Sequence, residues 1–250
     1  MIQKVIILHN EILAHTADEL DVLDQRDLIK SACERLGLTV ETMIVGKDIH
    51  CDLEKVKEAN PDVVFNIVES TWGKGELIYF APAMLNALKI PYTGVPLDAL
   101  FVITNKVLAK KIMRLNDLPT ADFFSIEEMD KLNPEKTYIV KPIWEEASVG
   151  INADSVFTMH EIEKIAKISD LSASQYFIEE YISGREFNVS ILAGDSGPEV
   201  LYPAEMIFSV YFDGRPKVVG YQAKWDEQSE EYHQTNRALG TLEDKLPLKT

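Results

Sequence analysis

The chain is poor in cysteine, in basic residues and in long apolar runs, and each shortage narrows what it can be. Cys33 and Cys51 are the only cysteines, with no Cys-x-x-Cys pair, so neither a disulfide framework nor a zinc site is indicated. Cys33 is expected to be a buried thiol, the usual setting of a free cysteine. Lys and Arg number 25 against 41 Asp and Glu, a formal charge of −16, which argues against a nucleic-acid-binding surface. No apolar run approaches the ~18 residues needed to span a bilayer, and the Val5-Ile6-Ile7-Leu8 block is too short for a signal-peptide core. A cytoplasmic, unprocessed protein without a membrane partner is the expectation. No Gly-x-Gly-x-x-Gly follows the first apolar run and no Walker-type Gly-Lys-Ser/Thr loop occurs, so ordinary dinucleotide and P-loop sites are disfavoured.

What remains is globular: 250 residues, 46% apolar, with 12 Gly and 11 Pro, enough for one large domain or two at ~100–200 residues each. The first hundred residues alternate β-branched runs with helical patterns, which predicts βαβ units and a mostly parallel sheet. Strands are predicted at Lys4 to Leu8, Thr39 to Val45 and Val63 to Ile67. Between them, Leu28, Ile29, Ala32, Cys33 and Leu36 fall on one helical face before the stop at Gly37, and a short helix over Leu53 to Ala59 ends at Asn60-Pro61. Helices over Glu76 to Leu88 and Thr104 to Leu115 follow. Beyond a boundary near 96 to 104 the pattern changes to α+β, with strands around Phe123, Tyr138 to Lys141 and Tyr176 to Ile182 and a helix over His160 to Ile168. Gly184 lies between strand-like runs at Phe177 to Ile182 and Glu186 to Leu192, which predicts a hairpin.

The chemistry gathers in the second half. Lys141 leaves the apolar run Tyr138-Ile139-Val140 and is followed by the small-residue segment Ser148-Val149-Gly150. A strand-end lysine beside such a loop can offer a point charge and backbone N–H groups to a polyphosphate, or can simply snorkel beside a turn. In Phe177 to Val189, Glu179 and Tyr181 share a strand face by period two, and a tight turn would return Glu186 alongside them. Acceptors so arranged suit an adenine amino group and ribose hydroxyls, whereas a solvated acidic edge is the plain alternative. Further lysines stand in Asn105-Lys106 and Ala223-Lys224-Trp225.

Taken in order, Val64-Phe65-Asn66, Ile90-Pro91-Tyr92-Thr93-Gly94 with Asn105-Lys106, Val140-Lys141-Pro142 with Ser148-Val149-Gly150, Glu179 through Phe187, and Ala223-Lys224-Trp225 resemble the ATP-grasp superfamily. The likeness is to D-alanine–D-alanine ligase and its relatives in particular, and runs from about Asp62 to Trp225. It implies an α/β plus α+β fold of ATP-grasp architecture: an N-terminal Rossmann-like (pre-ATP-grasp) domain over 1–100, a central lobe over 101–174 and a partial C-terminal lobe over 175–250 that exposes apolar sheet surface. It further implies that Lys106 and Lys141 contact ATP phosphates, that Ser148, Val149 and Gly150 form a flexible loop over them, that Glu179, Glu180 and Ile182 hold adenine, that Glu186 takes the ribose, and that Lys224 reaches the γ-phosphate as the catalytic lysine. Cations gathered locally, these lysines and magnesium, would let a chain of charge −16 hold a triphosphate. The implied reaction phosphorylates a carboxylate with ATP so that an amine can attack the acylphosphate, as in peptidoglycan synthesis, with positioning and charge stabilisation as the protein's contribution.

Two departures from the family stand out. The Gly-rich loop that helps bind the first amino acid is replaced by His9-Asn10-Glu11-Ile12-Leu13-Ala14-His15, so the amino-acid substrate stays open. Glu69 and Glu76 could bind its ammonium, or could serve only local helix electrostatics, and His9 and His15 read as local hydrogen-bonding residues. The family's later strands, with an Arg, an Asp and a Glu-x-Asn that bind magnesium, have no counterpart before Thr250, and Glu243 and Asp244 do not replace them. The expectation is a fragment, a truncated gene product or a degenerate relative without metal carboxylates, itself doubtful as a catalyst. A non-catalytic nucleotide-binding module, a pseudoenzyme, or a ligase for other amino acids or peptides are the alternatives, and a homodimer is allowed.

Overall fold

A computed structural model describes residues 2–166 and 172–240. They divide into two compact units. Unit 1 takes in residues 2–120, 142–149 and 172–177, and unit 2 takes in 121–141, 150–166 and 178–240.

Unit 1 starts with β1 (Lys4–Asn10), α1 (Ala17–Arg35), β2 (Thr39–Val45), α2 (Ile49–Glu58) and β3 (Val63–Asn66). The strands form a parallel sheet in the order β2-β1-β3, with Lys4 opposite Thr39 and Val5 opposite Val63. Central β1 is buried from Val5 to Asn10, as expected of a parallel strand covered on both faces. The core gathers Ile6, Leu8, Val45, Leu53, Val56, Val64, Ala81 and Leu85. The α1 face differs from the predicted one. Leu28 and Leu36 are 69% and 77% exposed, Cys33 is half-buried rather than buried, and Val22 is the fully buried residue. At about 100° per residue Leu28 lies at the edge of the stripe that Val22, Ile29 and Cys33 share, and Leu36 is the cap, beyond the last turn.

Helix α2 begins earlier than the predicted Leu53 because Asp48 caps it, accepting from Cys51 N–H. The continuous helix predicted over Glu76 to Leu88 is broken: a 3-10 turn spans Gly75–Leu77 and α3 spans Phe80–Leu88. The helix predicted over Thr104 to Leu115 forms from Lys106 onward, and a helix not predicted from the sequence precedes it. Helix α4 (Leu97–Thr104) ends at Asn105, whose backbone is extended and whose side chain accepts from Leu108 N–H to start α5 (Lys106–Leu115).

Unit 2 holds most of a four-stranded sheet ordered β4-β7-β5-β6, made from β4 (Phe123–Ser125), β5 (Thr137–Pro142), β6 (Val156–Thr158) and β7 (Tyr176–Glu180). Tyr138 and Phe157 are fully buried, with Phe124 edge-on to Tyr138. Of the helix predicted over His160 to Ile168, the described part is a 3-10 turn at Met159–Glu161 followed by α6 (Glu163–Ala166), and 167–168 lie outside the described residues. Then come β8 (Glu186–Asn188), the antiparallel pair β9 (Ile191–Gly194) and β10 (Gly197–Val200), β11 (Ala204–Phe208), α7 (Tyr221–Trp225), α8 (Glu230–Gln234) and β12 (Thr235–Leu239). The apolar residues Ile191, Leu192 and Val200 of the β9–β10 pair are exposed, as the sequence led us to expect.

The hairpin predicted about Gly184 does not form. Strand β7 belongs to the four-stranded sheet, and β8 pairs with β11 in a separate sheet ordered β12-β11-β8. The intervening residues are drawn to other partners. Tyr181 N–H donates to Thr137 O at 2.9 Å, and Arg185 bonds Glu205 of β11 through two nitrogens, at 2.6 and 2.9 Å.

Candidate active site

In unit 2 the strand period sorts the acidic pair on β7 to opposite faces. Glu179 is buried and its carboxylate lies 2.8 Å from Lys141 Nζ on β5, while Glu180 accepts from Lys136 Nζ at 2.7 Å. That bond, with Asp122 3.8 Å away, raises the Lys136 pKa. Glu186 opens β8 and touches solvent, yet enough protein surrounds its carboxyl that burial pushes its pKa up while Lys141 pulls it down. Lys141 therefore pairs with Glu179 and lies within electrostatic range of Glu186, without the hairpin that was to unite them. Ile182 is 64% exposed, and Tyr181 OH accepts from Lys217 N–H and donates to Lys217 O. Lys224 sits on α7 with its ammonium 4.8 Å from the centre of the Trp225 ring, a cation–π contact.

In unit 1, Lys106 opens α5. Its backbone N–H donates to Ile143 O, and its ammonium bonds Glu145 O and lies 3.6 Å from the Glu146 carboxylate. The segment beyond is sharply turned: Ala147 and Ser148 have φ of 55° and 65°, and Val149 N–H donates to Glu146 O. Gly150, at φ 74°, begins the return to unit 2. Successive amides in such turned backbone can make a concave anion seat.

A cleft of about 210 Å³ opens within unit 1, lined by Asn10, Asp18, Glu69, Ser70, Trp144 and Glu145 among others. It lies at the carboxyl ends of β1 and β3, where parallel sheets bind ligands. Glu69 is positioned by its N–H on Asn10 Oδ1 and its carboxylate on Gln25 Nε2. Glu76 lines a different depression, with Lys74 and Gln175. Burial raises the Glu145 pKa, opposed by Lys106. Asp18, Glu19, Lys136 and Glu145 were not singled out from sequence. Glu19 had a legible signal in Thr16-x-x-Glu19, the pattern of a capping box, although its carboxylate serves the loop after β1 by accepting from Leu13, Ala14 and His15 N–H. His9 is buried with Nδ1 2.8 Å from Asn10 O, a local contact as anticipated.

Residues 112–245, just over half of the chain, match the sequence profile described as D-ala D-ala ligase C-terminus. The chain belongs to the D-alanine–D-alanine ligase family. The D-alanine–D-alanine ligase of Rickettsia massiliae is 27% identical over 179 residues, 70% of this chain and 53% of that one, and that of Rickettsia akari is 28% identical over 167 residues, 66% and 49%. The chain spans about half the length of the curated relatives it matches. The ATP-grasp fold is shared with the Bacillus anthracis ligase, at a TM-score of 0.67 and 19% identity over 96% of this chain and 72% of that one. The same enzyme crystallised with ATP gives a TM-score of 0.66 at 16% identity over 96% and 71%. Among the described residues no helix is long and apolar enough to cross a membrane, and no group of three or more His, Cys, Asp or Glu could hold a metal ion. Glu243 and Asp244 lie outside the described residues.

Proposed function

We propose that this chain is the nucleotide-binding part of a cytoplasmic ATP-dependent ligase that joins a carboxylate to an amine, with D-alanine as the first candidate substrate. The Lys141–Glu179 pair, with Glu186 in electrostatic range of the same ammonium, carries the reading. On binding ATP, the Lys141 ammonium turns from Glu179 to phosphate oxygens, Glu179 accepts from the adenine amino group, the backbone at Glu180 and Ile182 borders the ring, and Glu186 accepts from a ribose hydroxyl. Lys224 takes the γ-phosphate, while Lys106 and the amides of Ser148, Val149 and Gly150 serve the other phosphates. The substrate carboxylate attacks the γ-phosphorus and ADP leaves. The amine then attacks the acylphosphate carbon, phosphate departs and the amine gives up a proton. Glu69 and Glu76 are the candidates for holding a substrate ammonium. Magnesium would neutralise phosphate charge, although the described residues contain no cluster of three or more His, Cys, Asp or Glu to hold it. The division at residues 100 and 174 belongs to the same proposal.

Adenine presents an amino donor where guanine presents a carbonyl acceptor, so a carboxylate at that edge selects ATP over GTP. Titration calorimetry of the chain with each nucleotide is expected to give at least tenfold tighter binding of ATP. Equal affinities, or none for ATP, reject the reading. Phosphate release with D-alanine, measured on the whole protein, tests the ligation step.

A further inference from the structure

Gly220, just before α7, has φ −77° and ψ −179°, torsions that any residue adopts. Its glycine answers a different need. A Cβ there would lie 2.9 Å from Ile151 O and 3.2 Å from Asn152 Cα, and both obstacles are backbone. The following residue completes the contact, because Tyr221 N–H donates to Ile151 O at 2.8 Å. Tyr221 is the first residue of α7, where an N–H has no acceptor inside its own helix, so the bond competes with nothing. Across the seam Asn152 and Ala153 share a small cavity with Gln222 and Ala223.

Helix α7 has five residues, far below the ~12–15 at which an isolated helix becomes marginal in water. Its placement therefore depends on what it is fastened to. At its start the fastening is to Ile151, directly after Ser148-Val149-Gly150.

We propose that Gly220 is a positioning residue that fastens the Lys224 helix to the segment leaving the phosphate-covering loop, so that 151–153 and α7 move as one body. This deepens the nucleotide reading above, on which the role of Lys224 rests. Closure of the loop over a nucleotide then carries the Lys224 ammonium with it. A side chain at 220 separates the two events.

Hydrogen exchange on the nucleotide-free chain, resolved by peptide, tests the fastening. Gly220→Ala is expected to speed exchange of peptides over 151–155 and 221–225 together, by tenfold or more, and to leave β5 unchanged. Acceleration of one segment alone overturns the proposal. Tyr221→Pro deletes the N–H while suiting the first helical position, and Tyr221→Ala keeps the N–H but removes the ring. The proline variant should behave as Gly220→Ala and accelerate both segments well beyond the alanine variant, and equal effects of the two overturn the role of the bond. A third readout concerns Lys224 itself. At saturating concentration for each protein, ATP is expected to slow its acylation at least fivefold in wild type and less than twofold in Gly220→Ala; equal protection in both overturns the coupling. Wild type that binds no nucleotide defeats the nucleotide reading, and the exchange result still decides the fastening.

Discussion

Replacing Lys141 by methionine keeps most of the side-chain volume and removes the charge, and the structure makes this act on two quantities at once. The first is stability. Glu179, 10% exposed in its side chain, loses an ammonium 2.8 Å away. Removing one partner of a fully buried pair costs about 3–5 kcal/mol. Lys141 is 29% exposed and water partly screens it, so roughly 1–3 kcal/mol is the expected loss, a melting decrease of about 2–10 °C for a domain of this size. The second quantity is nucleotide affinity. If Lys141 donates to phosphate, its loss costs about 1.5–3 kcal/mol, the range for hydrogen bonds to charged groups, or roughly 10- to 150-fold in Kd. Glu179→Gln in the Lys141→Met background separates the two, because it removes the carboxylate charge left beside the methionine. The double variant should regain most of the melting temperature and none of the affinity lost through Lys141. Calorimetry and thermal melting on the wild type, both single variants and the double variant complete the cycle. Full ATP affinity in Lys141→Met would falsify the assigned role, and a double variant no more stable than Lys141→Met would refute the electrostatic account of the pair.

The His9 imidazole has a pKa held below its ordinary value, first by burial, with the Asn10 carbonyl raising it and Arg26 lowering it further. Below the unfolded value of about 6.5 the unfolded chain takes up a proton that the folded chain resists, so this residue makes stability fall as pH drops through ~6.5. The raised carboxyls of Glu145 and Glu186 act in the opposite sense, since the folded chain protonates them first. His9→Gln is therefore expected to lose less melting temperature between pH 7.5 and 5.5 than wild type, and an identical slope would count against the argument. Tyr138→Phe keeps the ring contacts with Phe124 and Phe157 but withdraws the hydroxyl that accepts from Asn133 N–H at 2.8 Å. A loss of about 1–2 kcal/mol in urea unfolding is expected, and no change would mean that water replaces the hydroxyl.

Much of the fold could be read along the chain wherever the determinants are local. Strand β2 has the bounds expected from its β-branched run, and β1 and β3 differ from expectation only at their carboxyl ends. The family was legible for a related reason: short blocks about Lys106, Lys141, Glu179 and Lys224 keep their order, and order is a property of sequence. What failed was partner choice. The run at Glu186 has strand character whichever strand receives it, and only the assembled molecule put β11, with Glu205 ready for Arg185, beside it. The α1 stripe was right in period but wrong in extent, because Leu28 lies at its angular edge and Leu36 is the cap beyond the last turn. Glu179, Glu186 and Lys141 illustrate both halves. Sequence supplied the charges and the strand alternation that aims Glu179 and Glu180 apart. The Lys141–Glu179 pair, with Glu186 in its electrostatic range, depended on pairing between strands distant along the chain, which backbone hydrogen bonds permit in many registers and packing alone decides.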